Sequence, residues 1–240
     1  MSILQDTTKP LIDILHSVGN LPIVVTTHHK PDGDAMGSSL ALTSYLKSLG
    51  HKVTLITPTD YPSFLHWMPG HEDVLIYENQ TKVCNELTLK AAYIFCLDFN
   101  DLKRINEFGV TVGNSTADKV MIDHHREPSD FDSYRLWTYE ASSTSELIYQ
   151  FIQNAGDTDK ITNRIADCLY TGMMTDTGSF RYRGTTSTTH RIIADLIDKG
   201  ANNSLIHELV YDSSSELRLR MMGYVLYEKL EILSEYNTAL

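Results

Sequence analysis

Four short clusters of aspartate and histidine mark this 240-residue chain, and each holds residue types suited to binding a cation or moving a proton. The first, His28-His29-Lys30-Pro31-Asp32-Gly33-Asp34, follows an apolar run. Pro31 and Gly33 allow a sharp turn, so His28, Asp32 and Asp34 can meet at one point. Gly37, Ser38 and Ser39 then open a helix whose free N–H groups favour an anion nearby. The second cluster is Asp98 within Cys96-Leu97-Asp98-Phe99-Asn100-Asp101, the third is Asp123-His124-His125, and the fourth is Thr175-Asp176-Thr177-Gly178. Each also has a plainer reading: Asp34, Asn100 or Asp101 as a helix cap, a histidine of the third cluster as a structural residue, and the fourth cluster as a helix-ending turn. Side chains adjacent on an extended strand point to opposite faces, so His124 and His125 would do different work if the strand ends in a bend.

The clusters say more together than apart. Asp32, Asp34, Asp98 and Asp176 with His28 and His124 make a mixed oxygen and nitrogen donor set. Such a set suits Mn²⁺, with Mg²⁺, Co²⁺ or Fe²⁺ as alternatives, and does not suit a zinc site of the cysteine type. Packed without metal, four carboxylates would raise one another's pKa. Two divalent ions roughly 3.5–4 Å apart would balance them and make a hydrolytic centre.

To be brought together, the clusters need a scaffold, and the hydrophobic pattern supplies one. Apolar runs at 21–27, 52–57, 73–77, 91–97 and 119–122 read as strands. Helical periodicity covers 34–49, 101–108, 142–154, 161–174 and 188–199. This alternation predicts an α/β fold, a mostly parallel sheet with helices on both faces, whose ligands gather beyond the carboxyl ends of the strands. After Gly200 the pattern is helical only, with 213–233 expected as one long, charged connecting helix. An apolar face on that helix would favour a homodimer.

Twenty Lys plus Arg against 31 Asp plus Glu give a net charge of −11, which argues against gripping long duplex nucleic acid by charge alone. Three cysteines without a CxxC pair argue against a disulfide framework. With no secretory leader pattern and no run of roughly 18 apolar residues, a cytoplasmic protein without a membrane segment is expected.

The ordered quartet of His-x-x-x-Asp-x-Asp, a strand-end Asp, Asp-His-His and Thr-Asp-Thr-Gly resembles the DHH phosphoesterase superfamily and spans His28 to Gly178. The stretch from Thr27 to Leu40 and the run Asp176-Thr-Gly-Ser-Phe-Arg181-Tyr are most similar to its oligoribonuclease (nanoRNase)/pAp-phosphatase branch. The resemblance implies a metal-dependent phosphoesterase that hydrolyses short oligoribonucleotides, 3′-phosphoadenosine 5′-phosphate, or both, through a hydroxide bridging two Mn²⁺ ions. Its partners would be short single-stranded RNA or a small nucleotide. By family position, His28 and Asp32 would hold one metal, Asp34 and His124 the other, and Asp98 and Asp176 would bridge. His125 would donate a hydrogen bond to the phosphate, Asp123 would orient a histidine, and Arg181 and Ser38 are candidate substrate contacts. The resemblance also implies a catalytic domain over 1–200 and a helical connector over 201–240, leading toward a DHH-associated domain whose Gly-rich motif this chain lacks. Alternatives are a family II-type inorganic pyrophosphatase, a cyclic-dinucleotide phosphodiesterase and a catalytically inactive nucleotide-binding module.

Overall fold

The computed structural model describes residues 4–240, which divide into one large unit ending at Asn203 and a small one over Ser204–Leu240. The large unit is built on a seven-stranded sheet. Its strands are β1 (Gln5–Asp6), β2 (Pro22–Thr27), β3 (Lys52–Thr57), β4 (Leu75–Ile76), β5 (Tyr93–Leu97), β6 (Asp118–Asp123) and β7 (Tyr134–Trp137). They lie in the order β1-β7-β6-β5-β2-β3-β4, parallel except for β1, which pairs antiparallel with β7. The helices are α1 (Lys9–Ser17), α2 (Gly33–Ser48), α3 (Tyr77–Lys90), α4 (Phe108–Asn114), α5 (Thr144–Asn154), α6 (Asn163–Asp176) and α7 (Ser187–Asp198).

Strand periodicity explains how both faces are covered. Ile94 and Cys96 of β5 join Val24, Ile56, Cys84, Phe108 and Val112 in a core under α3 and α4. Phe95 points the other way and meets Phe151 of α5 edge-on, with ring centroids 6.3 Å apart. The α/β fold read from the hydrophobic pattern is therefore the one observed.

Several local expectations change. The run 73–77 makes only the two-residue β4, because Tyr77 opens α3. The helix expected at 101–108 is a 3-10 turn, Leu102–Ile105, separated from α4 by Asn106, which sits at a left-handed φ of 51° that ends regular helix. The cap of α2 is Asp32, whose carboxylate accepts from the Asp34 and Ala35 N–H groups; Asp34 stands inside the first turn. β1, α1, α3 and β7 carried no clear sequence signal. A two-residue strand such as β1 exists only because Gln5 pairs with Trp137, far along the chain.

The small unit begins within α8 (Asn203–His207), then forms a π turn over Glu208–Asp212, α9 (Glu216–Tyr224), a second π turn over Val225–Lys229, and a hairpin of β8 (Ile232–Leu233) with β9 (Thr238–Ala239). The single helix expected over 213–233 is thus corrected. Leu230 turns extended, with ψ 120°, and Ile232 and Leu233 are taken into strand pairing. Among the described residues no helix is long and apolar enough to cross a membrane.

Candidate metal centre

The parallel strands deliver the chemistry to one end of the sheet. His28 follows β2, Asp98 follows β5, and Asp123 closes β6 with His124 and His125 just beyond. Asp32 and Asp34 start α2, and Asp176 ends α6. Asp98 takes a left-handed φ of 62°, an uncommon conformation for aspartate that turns its carboxylate inward to 2% exposure.

Distances link these side chains into one cluster. His28 Nε2 lies 3.4 Å from Asp98 Oδ2 and 3.9 Å from Asp32 Oδ1. His124 Nε2 lies 3.6 Å from Asp98 Oδ1, 3.4 Å from Asp176 Oδ2 and 4.0 Å from Asp34 Oδ2. Potential ligand atoms fall into trios whose members are all within 4.8 Å of one another: His28-Asp32-Asp98, Asp34-His124-Asp176 and Asp98-His124-His125. Asp98 is shared between groups on both sides of the cluster, whereas Asp176 groups only with Asp34 and His124.

Hydrogen bonds orient the donors. The His28 Nδ1–H donates to the His29 carbonyl at 2.9 Å, since a carbonyl can only accept, and this leaves Nε2 with its lone pair toward Asp98 and Asp32. The His125 Nδ1 and backbone N–H both bind the fully buried Asp123 carboxylate, at 2.8 and 3.0 Å. That contact occupies Nδ1, the nitrogen nearest Asp98, so His125 presents Nε2 instead of joining the Asp98-His124 pair. The Trp137 indole N–H anchors the same loop on the His125 carbonyl at 2.6 Å.

Residues that sequence reasoning missed hold the carboxylates from behind. The N–H groups of Thr144 and Ser145, at the start of α5, donate to the two Asp34 oxygens at 2.6 and 2.9 Å. The Thr144 hydroxyl donates to Asp98 Oδ1 at 2.9 Å. The only sequence signal was Ser143-x-x-Glu146, the pattern that opens a helix; Ser143 does cap α5. Nothing in that pattern says where the helix end points.

Of the two proposed substrate contacts, Ser38 is corrected. It is fully buried, and its hydroxyl donates to the Asp34 and Ala35 carbonyls of its own helix, at 2.7 and 3.3 Å. The helix is enclosed by α5, α6 and the sheet, so a serine four residues after Asp34 points into packing. Arg181 is exposed, with its Nε–H bonded to the Gly178 carbonyl at 2.6 Å. Two histidines outside the cluster are also partnered: His16 pairs with Asp157 at 2.8 Å, and buried His51 bonds the Leu15 carbonyl at 3.0 Å.

The electrostatics of the cluster fit a cation. Burial, then the neighbouring Asp34 and Asp32, push Asp98 well above the usual carboxylate range. Burial likewise raises Asp34, and burial with the nearby Asp34 charge brings Asp176 to about 6. Burial lowers His124, but Asp34, Asp98 and Asp176 outweigh it and hold the imidazole above its ordinary value. Acids and base alike are thus displaced toward protonation, the sign of a site short of positive charge. Hard carboxylate oxygens with imidazole nitrogens match divalent Mn, Mg or Co, and the donor trios can hold such ions.

Residues 22–173 match the DHH family, N-terminal domain. The chain belongs to the DHH family. It is 32% identical over 206 residues to the bifunctional oligoribonuclease and PAP phosphatase NrnA of Thermus thermophilus, covering 85% of this chain and 58% of that protein. It is 26% identical over 207 residues to the protein of the same description from Bacillus subtilis, covering 85% and 61%. The chain thus spans about three fifths of the length of these curated relatives. Among solved structures, an exopolyphosphatase-related protein from Bacteroides fragilis superposes with a TM-score of 0.92 at 40% identity, covering 100% of this chain and 70% of the other. In this DHH-family chain the Asp-His-His sequence closes β6, at the centre of the cluster described above.

Proposed function

We propose that this chain is a metal-dependent phosphoesterase that hydrolyses short oligoribonucleotides and 3′-phosphoadenosine 5′-phosphate, with residues 1–200 as its catalytic part and 201–240 as a connector. The observation that carries the reading is the convergence of Asp98 with donors from three other segments, His28-Asp32-Asp34, His124 and Asp176, at the carboxyl-end side of adjacent parallel strands. The descriptions of its relatives support the substrate class.

In this reading His28 and Asp32 would hold one divalent ion, Asp34, His124 and Asp176 would hold the other, and Asp98 would serve both. Bound there, Mn²⁺ or a similar ion would activate a water and offset phosphoryl charge. The protein's own groups do the rest. The α5 N–H groups keep Asp34 in one orientation, and Thr144 does the same for Asp98. Asp123 holds the His125 ring so that Nε2, on a 36% exposed side chain, faces arriving phosphate as a hydrogen-bond donor when protonated. The three cysteines are unpaired and buried, which suits the reducing cytoplasm.

The test is hydrolysis by the Mn²⁺-loaded protein of a diribonucleotide, 3′-phosphoadenosine 5′-phosphate, a cyclic dinucleotide and inorganic pyrophosphate. Mononucleotide or phosphate release from the first two is the expected result. Turnover of pyrophosphate alone would assign the pyrophosphatase reading, and no turnover of any would assign a binding module.

A further inference from the structure

A cavity of about 540 Å³ opens along β3, and its lining joins Val53, Thr54 and Leu55 to Leu75 of the edge strand β4. It lies away from the metal centre. Lys47 and Arg164 on its rim stand near the end of α2 and the start of α6, whose other ends carry Asp34 and Asp176. A helical rise of about 1.5 Å per residue puts roughly 18–20 Å between each of these cations and the metal-centre aspartate on its own helix.

The gap exists because β4 is short. β4 pairs only with Ile56 and Thr57, so among the described residues 52–55 have no strand on that side. The Lys52 N–H faces the other way, to the Leu21 carbonyl at 3.0 Å. Peptide groups alternate sides along a strand, so the Val53 N–H and C=O face the gap. An unpaired strand edge of this kind is a template for another strand.

The two faces of the gap differ. Leu75 packs on the core under α3, and Leu87 of α3 lines the same side, so that face is apolar. The face toward α2 and α6 has buried Leu40, with Lys47 and Arg164 exposed at its rim. The one carboxylate among the lining residues, Asp73, pairs with Lys47 at 3.3 Å. Both partners are exposed, so the pair is weak and exchangeable. The rim therefore keeps a net positive charge on a chain whose own net charge is −11. At physiological salt charges act over roughly 8 Å, so the rim sets the local preference.

We propose that this edge of β3 docks an extended segment of a partner protein in which acidic and apolar residues alternate. Added beside β3, the segment exchanges backbone hydrogen bonds with Val53, turns its apolar side chains to Leu75 and Leu87, and turns its carboxylates to Lys47 and Arg164. A second copy of this chain is the poorer occupant, because two-fold pairing of the edge with itself brings the same two cations together from both sides. The docked segment sits at the far ends of α2 and α6 and leaves the metal centre open. The surface thus serves recruitment and is independent of which phosphoester the centre hydrolyses.

The test uses the full chain and two fluorescein-labelled peptides of strand length, about seven residues, one alternating valine with glutamate and the other valine with lysine. In fluorescence anisotropy the glutamate peptide is expected to bind at least tenfold tighter. In the double variant Lys47→Glu, Arg164→Glu that order should reverse. With the ¹⁵N-labelled chain, the glutamate peptide should shift the amides of Val53, Thr54, Leu55 and Leu75 and leave those of Asp98 and His124 unmoved. N-methylation of the peptide backbone removes its donors and should weaken binding at least fivefold. Val53→Pro removes the donor on the protein side, a change that an edge strand tolerates, and should weaken binding as much. Should that variant fail to fold, the N-methylated peptide makes the same test from the other side. Failure of the glutamate peptide to bind, equal binding of the two peptides, or shifts elsewhere overturn the proposal. So does a dimer in sedimentation that the double variant alters, which would give the edge to a second copy.

Discussion

At the residue scale, Asp98 and Thr144 separate two kinds of contribution. Asp98 lies in donor groups on both sides of the cluster, so removing its carboxylate takes a ligand from each at once. Asp98→Ala is expected to abolish turnover and to lower Mn²⁺ stoichiometry in calorimetry, with the fold retained by circular dichroism. Thr144 would touch no metal; its hydroxyl orients Asp98 from behind at 2.9 Å. Thr144→Val keeps the shape and removes that bond. It should weaken Mn²⁺ binding roughly 10–100-fold, the usual effect of losing a group that orients a metal ligand. Unchanged Mn²⁺ affinity in that variant would show that Asp98 is oriented by packing alone.

At the element scale, three helices meet closely enough that glycine is required. A Cβ on Gly172 of α6 would stand 2.0 Å from the Ser145 Oγ of α5 and 2.8 Å from Asp34 Oδ1 of α2. A Cβ on Gly37 of α2 would stand 2.5 Å from the Cys168 carbonyl oxygen of α6. Gly172→Ala should therefore destabilise the protein by about 1–3 kcal/mol through overpacking. Its Tm should fall by roughly 2–4 °C per kcal/mol. Because the same methyl collides with Asp34, Mn²⁺ binding should weaken as well, whereas Gly37→Ala should act on stability first. Thermal melts with and without Mn²⁺ distinguish the two. Gly37, Ser38 and Ser39 of α2 read in the sequence as a helix start that favours an anion, although α2 opens at Gly33. Their use as a contact surface for α6 became visible only once the helices were packed.

At the scale of the whole molecule, Asp157 ties distant elements together. Its carboxylate accepts the Tyr45 hydroxyl of α2 at 2.7 Å, pairs with His16 of α1 at 2.8 Å and pairs with Lys160. Burial pushes Asp157 up, but the bonds from Lys160, Tyr45 and His16 outweigh it and hold it at about 2, below the ordinary 3.8. A folded-state value below the unfolded one means stability that is present above about pH 4 and lost as the pH falls toward 2. The contribution is about 2 kcal/mol. Urea unfolding at pH 5 and pH 3 should show about half of that loss, roughly 1 kcal/mol, and Asp157→Asn should lessen it. Metal acts on the same global equilibrium: Mn²⁺ at about 100 times its Kd should add about 2.7 kcal/mol per site. EDTA should reverse the rise in Tm, and Asp98→Ala should diminish it. A Tm indifferent to Mn²⁺ would argue against a cation at the cluster.

Residue identity and spacing were enough to read the α/β class and the four clusters, because hydrophobic period and strand-end position are local properties of the chain. They were enough, too, for the DHH resemblance, since ordered motifs survive without knowledge of packing. Tertiary structure alone decided that Ser38 faces the interior and that α5 aims its first N–H groups at Asp34. Those outcomes depend on which surfaces meet after the sheet is wound. A helix end carries the same sequence whether it faces water or a buried carboxylate.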